Sequence, residues 1–369
     1  MKIVWSLTDK WDNHACRHMF YDLSTHKEIS SIFTIERSYD ILTYPLRGWK
    51  KKLPPPIPMV KDINHKLHII RYPLLMPERF GIHALQAHWL KPIISLTKPD
   101  VTIVSSPFHI PLALSAKASG SKIVYFVYDE ITYTEDGKPR QDTQKAEQQI
   151  IKVADAIIVT AKSLMIPRLK YRKPIMIRPN GTNTKLWRGP HKEPKEIKHI
   201  PHPRIVFHGH MGPWIDHRLF IEMIKQYPEF SFIVVGKISR AATEIKSIKA
   251  PNLHIIPFMP QEQVASIVYH SDVAFMPFKT EDAFSRGINP LKLYEALAAG
   301  VPVVISDLPN IPKGPGIYTY KTREEAFFLL KKAVEEKPEK NILTKFATQW
   351  DWHNINKRLI EMLGGIVNG

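Results

Sequence analysis

Short β-branched runs alternate with longer amphipathic stretches along most of the chain, and this rhythm constrains the fold more than any other feature. Val101-Thr-Ile-Val104 and Ala156-Ile-Ile-Val159 are apolar or β-branched at every position, as strands covered on both faces must be. Between such runs, stretches like 142–153 space their apolar residues for one face of a helix. Strand, helix, strand repeated in this way requires crossover connections, and therefore parallel sheets with helices on both faces. The first half offers strands at 2–5, 29–34, 67–70, 101–104, 122–127, 156–159 and 175–177, with helices at 14–23, 82–96, 109–118, 142–153 and 161–169. A second series follows, with strands at 204–208, 231–235, 253–256, 273–276 and 301–305. Its helices are expected at 216–226, 241–248, 261–269, 290–299, 323–336, 341–349 and 353–363.

A chain of 369 residues exceeds one ordinary core and fits two domains. The rhythm lapses over 178–203, a Pro-Asn-Gly-Thr turn followed by a Lys, Glu, His and Pro-rich stretch, which reads as the interdomain connection. The expected fold is α/β, two Rossmann-like doubly wound domains facing across a cleft. Residues 1–180 would form the first, 181–349 the second, and 350–369 a helix packing back on the first. Such sheets bind ligands beyond the carboxyl ends of their strands, so chemistry is expected in the loops after Phe207, Val235, Ile256 and Met276.

A composition of 44% hydrophobic and 24% charged residues excludes wholesale disorder. The single cysteine, Cys16, excludes an internal disulfide and fits a reducing compartment. The opening apolar run is too short for a signal peptide, and no uninterrupted one approaches the ~20 residues that span a bilayer. A cytoplasmic protein, peripheral at the inner face of the membrane, is the expectation. The net charge of +17 is unevenly spread: residues 47–98 carry ten basic side chains opposed only by Asp62 and Glu78. Trp49, Tyr72, Phe80 and Trp89 are interleaved with them, and Trp49, Lys50, Lys51 and Lys52 are the candidate docking residues. Such a segment attracts phospholipid head groups, lipid diphosphates or nucleic acid; the plainer alternative is a solvated basic face.

Two stretches could carry chemistry. His208-Gly-His-Met-Gly212 follows a strand and precedes a helix, where glycine amides and a helix N-terminus can meet a phosphate. Tight turn geometry alone explains such glycines equally well, and two histidines without a nearby acidic or sulfur ligand do not make a metal site. In Asn289-Pro-Leu-Lys-Leu-Tyr-Glu-Ala-Leu-Ala-Ala-Gly-Val-Pro-Val-Val304, Pro290 suits a helix start and Gly300 a helix end. Lys292 and Glu295 fall on one side of that helix, either to meet a diphosphate and a ribose or as a surface ion pair.

This second stretch closely resembles the donor-binding motif of GT-B glycosyltransferases, particularly bacterial enzymes of capsule, teichuronic acid and exopolysaccharide assembly. Further landmarks resemble theirs: the glycine loop with Asp216, Phe232-Ile-Val-Val-Gly236, Arg178-Pro-Asn-Gly-Thr182, Ser271-Asp-Val-Ala-Phe-Met-Pro-Phe278, and Trp11-Asp-Asn with Arg17. The likeness covers the second domain well and the first only at landmarks. It implies that Gly209, Met211 and Gly212 cradle a diphosphate, Lys292 neutralises it and Glu295 holds the ribose. Main chain near Phe258 would contact the base, Arg286 or Asn289 the sugar, and Gly236 and Lys237 would belong to the same donor site. Many retaining members carry a further glutamate where this chain has Gly287.

The implied activity is transfer of a hexose or hexuronic acid from a nucleoside diphosphate sugar to a saccharide or lipid-linked acceptor. The chain has no Asp-x-Asp triplet, so no cofactor or obligatory metal is expected. An inverting transfer needs a base from the first domain, and Asp9, Asp12, His14 and Asp129 are the candidates. Asp129 leads, because Tyr128-Asp129 stands where many relatives have a His-Asp pair. Two rival readings are a glycosyltransferase acting on modified bases of phage DNA and a non-catalytic nucleic-acid- or lipid-binding protein on the same scaffold.

Overall fold

The computed structural model describes residues 1–8, 11, 14, 16–36, 59–71, 83–134 and 136–369, with backbone alone for 83–89. Asp9, Asp12, Trp49, Lys50, Lys51 and Lys52 lie outside these residues. The chain forms two units. Unit 1 comprises Met1–Thr132, Pro139–Pro179 and Ile355–Gly369; unit 2 comprises Tyr133–Lys138 and Asn180–Asn354. The chain therefore changes unit four times, where the sequence reading cuts it once near residue 180 and again at 350.

Unit 1 is built on an eight-stranded sheet: β1 Lys2–Ser6, β2 Ser31–Ile35, β3 Met59–Asp62, β4 Leu67–Arg71, β5 Val101–Val104, β6 Lys122–Val127, β7 Ala156–Val159 and β8 Ile175–Ile177. Their order is β3-β4-β2-β1-β5-β6-β7-β8, and β3 alone runs antiparallel to its neighbour. The order in which strands are added reverses at β1, where Val4 pairs with Phe33 of β2 on one side and Thr102 of β5 on the other, both in parallel. Ile3, Val4 and Trp5 are buried because helices cover both faces of that central strand. Helix Gln141–Val153 shows how the cover works: Ala146, Ile150 and Ile151 face the sheet.

The end of the chain completes this unit. Helix Trp352–Asn368 starts in unit 2, and from Ile355 onward it supplies buried Ile355, Leu359 and Leu363 to unit 1. The amide of Asn356, fully buried, donates to Met19 O and Asp22 Oδ2, each at 2.8 Å.

Unit 2 holds a six-stranded parallel sheet: β9 Arg204–His208, β10 Ser231–Val235, β11 Leu253–Ile256, β12 Val273–Met276, β13 Val303–Ser306 and β14 Ile317–Tyr320. The order β11-β10-β9-β12-β13-β14 places the reversal between β9 and β12. Residues 180–203, expected as a connection, are instead part of this unit: Trp187, Ile197 and Ile200 are buried in its core. Cores that claim a stretch through three well-spaced apolar side chains need no regular period.

Helix 161–169 is also not continuous. It holds α geometry only over Lys162–Met165, and Ile166–Tyr171 tightens into a 3-10 helix. Pro167 accounts for the break, since it lacks an amide and its ring crowds the carbonyl four residues back. Among the described residues no helix is long and apolar enough to cross a membrane.

Candidate functional site

Two loops meet at the carboxyl ends of β9 and β10. Gly209 (φ +96°) and Gly236 (φ +133°) both lie where side chains are strained, and a Cβ on Gly236 would sit 2.2 Å from the Gly209 carbonyl oxygen. The approach is fixed by Gly209 N–H to Val235 O at 2.8 Å and Gly236 N–H to Ile256 O at 3.1 Å. A Cβ on Gly209 would meet Lys292 Cε at 2.5 Å and Nζ at 3.1 Å, so the lysine stem lies across the bare Cα of this turn.

Lys292 reaches it from helix Leu291–Ala298, and Glu295, three residues on, faces the same strand end. Glu295 is nearly buried, and each of its oxygens has a partner: His208 Nε2 lies 2.9 Å from Oε2, and Gln261 Nε2 donates to Oε1 at 2.9 Å. His208 ends β9, and Gln261 opens the helix after β11. The other ring nitrogen of His208, Nδ1, is buried without a hydrogen-bond partner.

The remaining donor-side candidates divide. Met211 is buried, its amide donates to Lys237 O and its carbonyl accepts from Ser239 N–H, so its backbone is committed to the loop ladder. Gly212 lies against the Trp214 ring, which a Cβ there would meet at 2.5 Å, and its carbonyl accepts from His217 Nε2 at 2.9 Å. Neither is presented as Gly209 is. Lys237 Nζ stands 4.9 Å above the ring of Phe258, a side chain 60% exposed. Asn289 is buried with Oδ1 accepting from Tyr294 OH and its carbonyl accepting from Asn180 Nδ2. Arg286 is exposed and donates to Glu281 O at 3.4 Å.

His210, in the glycine loop, has its pKa lowered: desolvation is the main cause, and the cations Lys292 and Lys237 add to it. Three basic groups thus converge on one turn. A separate cavity of about 720 Å³ at the carboxyl ends of β12, β13 and β14 is lined by Asp216, Phe278, Ser306, Tyr320 and Arg323 among others, and not by Gly209, Lys292 or Glu295.

In unit 1, Asp129 is half-buried on the turn after β6, and its carbonyl accepts from Ile131 N–H. The adjacent Glu130 belongs to a buried ion network that sequence spacing does not reveal. Arg168, 1% exposed, bonds both oxygens of Glu130 at 3.0 and 3.2 Å and Glu147 Oε1 at 2.6 Å, and donates to Leu164 O at 2.8 Å. Tyr125 OH donates to the same Glu147 oxygen at 3.1 Å, and burial pushes that phenol's pKa up. Burial opposes the charge on Arg168, but Glu147 and Glu130 outweigh it and raise its pKa. His14 is half-buried, with Nδ1 accepting from the Cys16 amide at 3.2 Å. Parts of the basic segment are engaged internally: Arg71 pairs with Glu36 at 2.8 Å, and Lys66 donates to His26 O at 3.0 Å.

Gln261 and Arg168 are the residues sequence reasoning passed over. Gln261 sits just past the β11 loop, where such sheets bind ligands, and that position was its only signal.

Residues 202–330 match the family model described as Glycosyl transferases group 1. Over 117 residues the chain is 29% identical to the putative teichuronic acid biosynthesis glycosyltransferase TuaH of Bacillus subtilis (strain 168). That match spans 31% of this chain and 29% of the relative. Two solved structures align over nearly the whole chain. Anabaena HepE, in complex with UDP and glucose, gives a TM-score of 0.70 at 13% identity, covering 99% of both chains. Sucrose-phosphate synthase from Thermosynechococcus elongatus gives 0.76 at 13% identity, covering 100% of this chain and 99% of that one. The chain thus has the GT-B glycosyltransferase fold of two Rossmann-like units, and its residues 202–330 carry the signature of glycosyl transferases group 1.

Proposed function

We propose that this protein is a glycosyltransferase that moves a hexose or hexuronic acid from a nucleoside diphosphate sugar to a saccharide or lipid-linked acceptor, working at the cytoplasmic face of a membrane. The observation that carries the reading is the convergence at the end of β9: a side-chain-free turn at Gly209, the Lys292 ammonium across it, and a carboxylate at Glu295 held by two donors.

In this reading the diphosphate lies on the Gly209 turn, where backbone can approach closely and Lys292 offsets its charge. Each Glu295 oxygen has a second lone-pair direction beyond the bond it already accepts, enough for the two hydroxyls of a ribose. Phe258 and Lys237 border the base, and Arg286 reaches the sugar. In an inverting transfer Asp129 takes the proton of the acceptor hydroxyl. The acceptor oxygen then bonds the anomeric carbon as its bond to the diphosphate breaks. Charge developing on the leaving diphosphate is met by Lys292, with no obligatory metal. The UDP held by HepE supports a uridine donor.

Calorimetry with UDP tests the donor site. Glu295→Gln and Lys292→Ala should each weaken UDP about tenfold or more, since each removes a charge-assisted contact of about 1.5–3 kcal/mol. Glu295→Ala is a poorer probe, because it strands the buried donors of His208 and Gln261. Asp129→Asn should leave UDP affinity intact and reduce turnover strongly. Unchanged UDP binding in both donor-site variants would refute the site.

A further inference from the structure

We propose that the 3-10 helix Ile166–Tyr171 of unit 1 is a docking wedge for an anionic lipid bilayer. A 3-10 helix has about three residues per turn, so positions three apart eclipse each other. Ile166 and Leu169 therefore share one face, and that face is outward: they are 58% and 54% exposed. Pro167, between them, is exposed as well. Arg168 turns inward, into its bonds with Glu130, Glu147 and Leu164 O, and Tyr171, three residues on, packs against the core. That buried network fixes the orientation of the turn, so the apolar pair cannot rotate inward without withdrawing the guanidinium from its carboxylates.

The surroundings name the partner. Residues 156–179 carry six cations and no carboxylate. Lys162, Lys170 and Arg172 among them are exposed around the apolar pair. Aliphatic side chains ringed by cations suit the boundary between acyl chains and acidic head groups, where apolar burial and charge attraction act together. A nucleic acid would use the cations and find no role for exposed Ile166 and Leu169; an acidic bilayer uses both.

The wedge also adjoins the proposed chemistry. Arg168, at its root, bonds Glu130, the neighbour of Asp129, at 3.0 Å. A lipid-attached acceptor would thus arrive beside the turn that carries the proposed base. This last step rests on the lipid-linked reading above; the docking surface does not.

The test is co-sedimentation of the full chain with phosphatidylglycerol-containing vesicles and with phosphatidylcholine vesicles. Wild type should bind only the acidic ones. Neutralising Lys162, Lys170 and Arg172 to Gln should lower the partition coefficient about 100-fold, at about 1 kcal/mol per cation. Ile166→Ser with Leu169→Ser should reduce binding most at high salt, where screening leaves the apolar part dominant. All five side chains are exposed, and an unchanged melting temperature verifies that the variants fold. If wild type binds acidic vesicles and both variants match it, the wedge is wrong while membrane association stands. If wild type ignores the vesicles, both fail; loss of duplex DNA binding in the charge variant instead would assign the surface to nucleic acid. UDP affinity, measured alongside, should not change in either variant, so the transferase reading is judged separately.

Discussion

A carboxylate with a donor on each oxygen cannot swing, and Glu295 is in that state. His208 and Gln261 supply the two bonds, from strand and helix ends far apart in sequence. The i, i+3 spacing of Lys292 and Glu295 was legible because it lies within one helix. Their bracing was not, because it depends on how separate βα units stack. The same limit hid the commitment of the Met211 backbone, which only a ladder with Lys237 explains. His210 yields a pH prediction at this scale. Desolvation, then Lys292 and Lys237, lower its pKa in the free protein, and a diphosphate on the loop would reverse the effect of the two cations. Nucleotide binding should then take up a proton, so UDP affinity of wild type relative to His210→Gln should rise as pH falls. Equal pH profiles for the two proteins would remove His210 from the phosphate. For the free fold the sign is opposite: the unfolded chain holds this proton more tightly, so acid lowers stability through His210.

Among secondary-structure elements, buried strands were read from their composition because both faces need apolar cover; β5, β6, β7, β9, β10 and β12 begin and end at the residues expected of them. Of the four edge strands, β8 and β11 were read from their apolar residues, whereas β3 and β14 escaped notice for the converse reason. β3 is exposed at all four residues and β14 is only partly buried, so neither shows the pattern that burial imposes. Breaks inside helices are local, as at Pro167, and what they expose or bury is a tertiary matter. Arg168 illustrates the tertiary share. Its replacement in Arg168→Met would leave Glu130 and Glu147 buried without their cation, at a cost of about 3–5 kcal/mol. Urea denaturation should show the lower midpoint. A midpoint equal to wild type would show that the network contributes nothing net.

At the scale of the whole molecule, the proposed donor site would meet the charge of a diphosphate with unit 2's own Lys292. Turnover should therefore survive a chelator; complete loss in EDTA, restored by manganese or magnesium, would overturn this. Unit 1 poses a different question, of order in time. Its first residues leave the ribosome early, yet the segment bearing Ile355, Asn356, Leu359 and Leu363 follows only after Asn180–Asn354 has been made. At about 5–20 residues per second, that interval lasts roughly 10–35 s. During it Met19 O and Asp22 await the Asn356 amide, and the apolar surface that the last helix covers stays open to water. The half of the protein synthesised first is therefore the half whose core closes last, and a nascent chain stalled before residue 355 would display that open surface to chaperones.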